Sequence, residues 1–248
     1  MSNYFDIHFE FSKDKVFDAI DNTLLNKNKG YICVVDGVVL SGTHKNKSYH
    51  DVINKSLFSI CDSRWITNYI KWIYNIKYQQ YSGSQIFIDA IHSKKYKMMF
   101  LGTQEKTLFS LKENIVKIDD RIKDMPFIEL PFCDINGFDY INIAEKINSY
   151  KPDIIWVALG APKQEFFMAN LEPYINSGIM IAVGAVFNFF SGNIKRAPQW
   201  IINMNIEFLY RIKKEPKKQL QRSLRIALCL PAILLKEYKK RLNITCQK

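Results

Sequence analysis

The chain has 248 residues, 48% of them hydrophobic, which suits one α/β domain or one domain with an appendage and excludes disorder as its main state. Its formal net charge of +11 is unevenly placed, because between Arg211 and Arg241 eleven Lys or Arg stand against two Glu, giving +9 there and about +2 elsewhere. Five scattered cysteines without CxxC spacing exclude a disulfide framework, and the N-terminus shows neither a charged n-region nor an apolar h-region, so a cytoplasmic protein with reduced thiols is expected.

Taken in chain order, a short strand precedes a helix over 13–25, where Val16, Phe17, Ile20 and Leu24 recur at helical spacing. Tyr31 to Val35 reads as a buried strand ending in Asp36-Gly37. A polar bridge then leads to a helix over 49–57, and Phe58 to Cys61 forms a second short strand ending in Asp62-Ser63. Both acids fall just past a strand's carboxyl end, where open α/β sheets bind ligands. The aromatic-rich segment 65–81 reads as a helix that could also wall an apolar acceptor, and Ser84 is placed to cap a helix over 85–91. Lys97 to Leu101 is a strand ending in Gly102-Thr103, followed by a helix to about Ile115. A strand over 127–130 and a helix over 140–149 come next.

The stretch from Asp153 to Trp200 holds two apolar runs, each broken by glycine: Ile154 to Leu159 at Gly160, and Ile179 to Val183 at Gly184. Pro162 stands where a helix can begin. The second turn is followed by Lys195 and Arg196, so the two breaks can together hold a small anion at the sheet's carboxyl edge. This alternation of strands and helices predicts a Rossmann-like, doubly wound, mostly parallel sheet.

Past Pro216, a hinge between a body (1–210) and a basic appendage (211–248), the run 226–235 (IALCLPAILL) is ten residues long. A membrane span needs about 20. Flanked by Arg222, Arg225, Lys236, Lys239, Lys240 and Arg241, the run fits a helix lying in an anionic membrane surface; the alternative is a helix packed on the body or on a partner with a solvated basic face.

Motifs for other chemistries are missing. The four histidines are isolated and no clustered Cys/His spacing or strand-end DxD pair exists, so no metal is expected; Walker A and GxGxxG loops are lacking too. The cations keep to one tail, and no nucleic-acid-binding module is visible.

Three ordered blocks, GAPKQE (Gly160 to Glu165), VGAVFNFFSGNIKRAPQW (Val183 to Trp200) and IEFLYRIKKEP (Ile206 to Pro216), resemble the signature blocks of the WecG/TagA/CpsF glycosyltransferases, glycosyltransferase family 26. The resemblance implies a bacterial, inverting, metal-independent transferase that uses no cofactor. It would move N-acetylmannosamine or its uronic acid from a UDP-sugar to an undecaprenyl-diphosphate-linked saccharide, as a peripheral enzyme on the inner face of the cell membrane. Asp62 stands where the family's proposed base sits, with Ser63 in place of the family's Gly, and Gln164 matches the glutamine of its PKQE block. These two are the catalytic candidates. The substrate-binding set is Gly102, Thr103, Gly160, Pro162, Lys163, Glu165, Gly184, Phe187, Asn188, Arg196 and Arg211, with Glu165 also suited to pair with a Lys or Arg of the body. Departures fall at Asp36, where the family has Thr-x-Asn, and at Gln80 to Gln85 around Gly83, where a cation and a carboxylate have both become glutamine; Asn188 likewise replaces an Asp. A changed sugar or acceptor is therefore expected, the alternative being a weakly active or inactive nucleotide-sugar-binding scaffold at the membrane. A homo-oligomer is compatible with this pattern.

Overall fold

The computed structural model describes residues 1–193 and 216–246, with side chains from 219 to 243 in the second segment. Eight strands form one sheet: β1 (Ser2–Tyr4), β2 (Ile7–Glu10), β3 (Lys29–Val35), β4 (Phe58–Cys61), β5 (Met98–Gly102), β6 (Phe127–Ile128), β7 (Ile154–Ala158) and β8 (Gly178–Ala182). Their order is β1-β2-β4-β3-β8-β7-β5-β6, and every pairing is parallel except that of β1 with β2. The doubly wound parallel sheet expected from the sequence is thus observed.

The central strands β5, β7 and β8 are buried along their whole length, which explains why their sequences are continuous apolar runs rather than alternating ones. One face of the sheet is covered by α2 (Gly37–Lys45), α3 (Lys47–Lys55), α4 (Arg64–Tyr74), α7 (Tyr140–Tyr150) and α8 (Lys163–Leu171). The other face is covered by α1 (Lys13–Leu25), α5 (Gly83–Ser93), α6 (Glu105–Ile115) and α9 (Val186–Phe190).

Three local readings are corrected. The polar bridge after Asp36 is a helix, α2: the Asp36 carboxylate accepts the Val38 and Val39 N–H groups at 2.8 and 2.9 Å, and Val39 and Leu40 are buried. The cap of α5 is Ser82, whose hydroxyl accepts the Gln85 N–H at 3.2 Å; Ser84 lies buried inside the helix. The aromatic segment is helical only to Tyr74 and ends at Asn75 in the left-handed conformation.

The basic segment forms α10 (Pro216–Cys246), which lies on the same face as α2 and α4. Cys229 and Ile233 join the core, and Ile226 meets Gly37 so closely that a Cβ there would sit 3.1 Å from its Cδ1. Further along, Glu237 is buried and accepts the Tyr74 hydroxyl hydrogen bond at 2.7 Å, while Lys236 and Lys240 pair with Asp6 at 2.8 and 3.1 Å. Much of the apolar run expected to lie in a membrane is therefore spent on the body, and only its outer side stays exposed. Among the described residues no helix is long and apolar enough to cross a membrane.

Candidate active site at the carboxyl edge of the sheet

The strand registers gather the sequence's acidic and glycine turns on one edge. Val35 lies opposite Cys61 and the Asp62 N–H donates to the Val35 carbonyl at 2.9 Å, so Asp36 and Asp62 leave the ends of adjacent strands. Gly102 lies opposite Ala158, and Val157 opposite Ala182, which puts the turns at Gly102, Gly160 and Gly184 on the same edge. The neighbours β3 and β8 send their following helices, α2 and α9, to opposite faces. That divergence marks the crevice where open α/β sheets bind ligands.

Asp62 is held by its surroundings. Its Oδ1 accepts the Gly83 N–H at 2.9 Å, the first amide of α5, where the helix favours a negative charge. Gly83 packs closely on β3: a Cβ there would come 3.3 Å from Val34 Cγ1. A backbone amide therefore orients the carboxylate at the carboxyl edge of the sheet.

Gly102 adopts φ +110° and its Cβ would lie 2.5 Å from the Ala158 carbonyl oxygen, so only glycine fits. Thr103 follows at φ +56°. Two successive residues with positive φ turn the chain sharply out of β5 and lead its backbone to the crevice.

Gln164 is buried between two of these turns. Its Oε1 accepts the Gly160 N–H at 3.1 Å, its Nε2 donates to Glu165 Oε1 at 2.8 Å, and its amide lies against Gly184. Glu165 is fully buried, and its other oxygen accepts the Tyr49 hydroxyl at 3.0 Å. Burial pushes the Glu165 carboxyl up to about 7, against the Gln164 and Tyr49 hydrogen bonds that favour its ionised form; the nearby Asp36 adds to the rise. Burial, reinforced by Glu165, also raises Tyr49. The Lys or Arg partner expected for Glu165 is replaced by a tyrosine and an amide, because its side chain enters a layer beneath the edge where neutral donors serve it. Tyr49 escaped the sequence reading: a single tyrosine on the buried side of α3 is indistinguishable from a core aromatic.

Other candidates separate from this group. Phe187 is corrected from ligand contact to core: its ring is fully buried against Phe87 and Phe100, at 5.9 and 6.1 Å between centroids. Lys163 turns toward the 131–138 loop, donating to the Cys133 carbonyl and lying over the Phe132 and Phe138 rings. Gln85 is exposed and donates to Asp89 at 3.0 Å on its own helix. Gln80 is half-buried in the segment between α4 and α5, Asn188 half-buried on α9, and Pro162 exposed at the start of α8. Arg196 and Arg211 lie outside the described residues. Among the described residues no three His, Cys, Asp or Glu side chains group as metal ligands.

The sequence model of the Glycosyl transferase WecG/TagA/CpsF family matches residues 3–244, nearly the whole chain. The chain belongs to the WecG/TagA/CpsF glycosyltransferase family. Among relatives, an N-acetylglucosaminyldiphosphoundecaprenol N-acetyl-beta-D-mannosaminyltransferase from Bacillus spizizenii is 29% identical over 224 residues, covering 88% of this chain and 84% of its own. Proteins of the same name from Bacillus subtilis and Staphylococcus aureus (strain MW2) are 29% and 23% identical, over 75% and 82% of this chain and 72% and 78% of theirs. In this WecG/TagA/CpsF glycosyltransferase, the carboxyl edge of the sheet carries together the Asp62 carboxylate and the glycine turns at Gly102, Gly160 and Gly184.

Proposed function

We propose that the protein transfers an N-acetylmannosamine-like sugar or its uronic acid, with inversion, from a UDP-sugar to an undecaprenyl-diphosphate-linked saccharide. The observation that carries this reading is the Asp62 carboxylate, held by the Gly83 amide at the end of β4 beside the glycine turns. Asp62 takes the proton of the acceptor hydroxyl while that oxygen attacks the anomeric carbon. The bond from that carbon to the UDP oxygen breaks, and the negative charge leaves with UDP. The turns at Gly102, Gly160 and Gly184 border the donor phosphates, and Gln164, which occupies the Gly160 N–H and lies against Gly184, fixes the spacing between the last two. Charge on the departing diphosphate is met by protein cations rather than by a metal. The contact of Ile226 with Gly37, next to Asp36, supports a part for the half-buried Arg222 of α10 in that task, with Arg196 and Arg211 completing it.

The acceptor in the relatives' names is lipid-linked, and the cationic α10 supports work at the inner face of the cell membrane. UDP release is measured with a panel of UDP-sugars and a prenyl-diphosphate-linked N-acetylglucosamine acceptor, in the presence of EDTA. The expected results are turnover without added metal and a fall of about 100-fold or more for Asp62→Asn with UDP binding retained. Undiminished activity of Asp62→Asn refutes the base, and loss of turnover in EDTA refutes metal independence. UDP binding without turnover on any acceptor would make the protein a scaffold instead.

A further inference from the structure

Helix α10 has two apolar faces, and the body uses only one. Ile226, Cys229 and Ile233 point inward, whereas Leu220, Leu224, Leu228, Leu235, Tyr238 and Leu242 are all exposed. At 3.6 residues per turn these six positions fall within an arc of about 80°, opposite the docked side, and run for roughly 33 Å. The sole acid among the described side chains of α10, Glu237, is buried against Tyr74, so its exposed surface carries no negative side chain. Arg225 and Lys239 flank the leucine stripe and are exposed.

The stripe does not end with α10. The Tyr238 ring stacks on Trp72 of α4 at 6.5 Å between centroids, and Trp72 is itself 68% exposed. Trp65, seven residues earlier on the same side of α4, is 52% exposed. Two large indoles left in water on a core helix are costly for a surface with no partner, whereas indoles beside leucines and cations are what the boundary layer of a bilayer accommodates.

We propose that Trp65 and Trp72 of α4 form, with the outer stripe of α10, one continuous face that rests on an anionic bilayer. Docking is then a property of the body and not of a tethered tail. Trp65 lies three residues after Asp62, so this seating keeps the sheet's carboxyl edge beside the headgroup layer, where a lipid-linked diphosphate resides. The inference rests on the membrane association proposed above and adds which surface of the body takes part.

The test uses the full chain and vesicles of phosphatidylglycerol and phosphatidylcholine, with and without brominated acyl chains. Binding is measured by co-sedimentation and seating by quenching of tryptophan emission. The wild type should bind and be quenched. The double variant Trp65→Gln/Trp72→Gln, with both changes at exposed positions, should keep its thermal midpoint, lose the quenched component and bind roughly tenfold more weakly. A wild type that binds without quenching, or a double variant that binds equally well, overturns the α4 face and leaves tail-driven association standing. A wild type that binds no vesicles removes the membrane reading itself, and the proposal with it. An oligomer in solution that the double variant disperses, without a change in vesicle binding, makes the occupant a second copy of the chain and also overturns the proposal.

Discussion

Replacing Glu165 with glutamine should remove a pH dependence from the protein's stability without emptying the layer beneath the site. In the folded chain the carboxyl sits at about 7 against an ordinary value of 4.5, because burial outweighs the hydrogen bonds from Gln164 and Tyr49. The folded state therefore holds a proton that the unfolded state has released. Stability from this group is complete below the unfolded value and is lost as pH rises through the folded one. The difference of roughly 2.5 units corresponds to about 3 kcal/mol, lost between about pH 4.5 and about pH 8. Glutamine is nearly isosteric, keeps an oxygen for the Gln164 amide and can donate to the Tyr49 oxygen once that hydroxyl rotates, at a cost of about 1 kcal/mol at low pH. Urea unfolding of both proteins across this range measures the effect, and subtracting the two curves cancels every other titrating group. The wild type should lose about 3 kcal/mol more than Glu165→Gln as pH rises. Parallel curves would show that the buried carboxyl titrates as in water and refute the account of this layer.

Gly102→Ala should cost about 3 kcal/mol in the same assay, because the added methyl meets the Ala158 carbonyl at 2.5 Å in a backbone conformation that side chains disfavour; an unchanged unfolding midpoint would refute the close approach. Phe187→Ala should destabilise by about 4 kcal/mol by opening a cavity between Phe87 and Phe100. At temperatures where the variant stays folded, its KM for the UDP-sugar should be unchanged, and a selective rise in KM would restore Phe187 to the binding set.

The sequence was most legible where one physical signal dominated. The strands β3, β4, β5, β7 and β8 stand out as apolar runs ended by Asp or Gly, and those end residues line the carboxyl edge of the sheet. Legibility failed where context overrode propensity. Gly37, Ser41, Gly42 and Thr43 are poor helix formers, so α2 looked like a bridge until its Asp36 cap and its packing were seen. The β1–β2 hairpin looks like one strand in the sequence because Phe5 and Asp6, and not glycine or asparagine, occupy the two left-handed positions of its turn, at φ 55° and 58°. Within PKQE, spacing shows that Gln164 and Glu165 are special but not that both point inward. Adjacent residues on a helix can each be buried when one side meets the sheet and the other meets α3, and only the packing reveals that.

The meeting of Gly37 and Ile226 makes a single missing side chain a spacer for the whole enzyme. Asp6 anchors the far part of α10 through Lys236 and Lys240, and Ile226, toward the near end, rests on the backbone beside Asp36. A methyl at position 37 would lift that end by a few tenths of an ångström. A larger group would push that end of α10 away from Asp36, while the far anchor held. The spacing between the basic helix and the first turn of α2 is thus set by the absence of a side chain at residue 37.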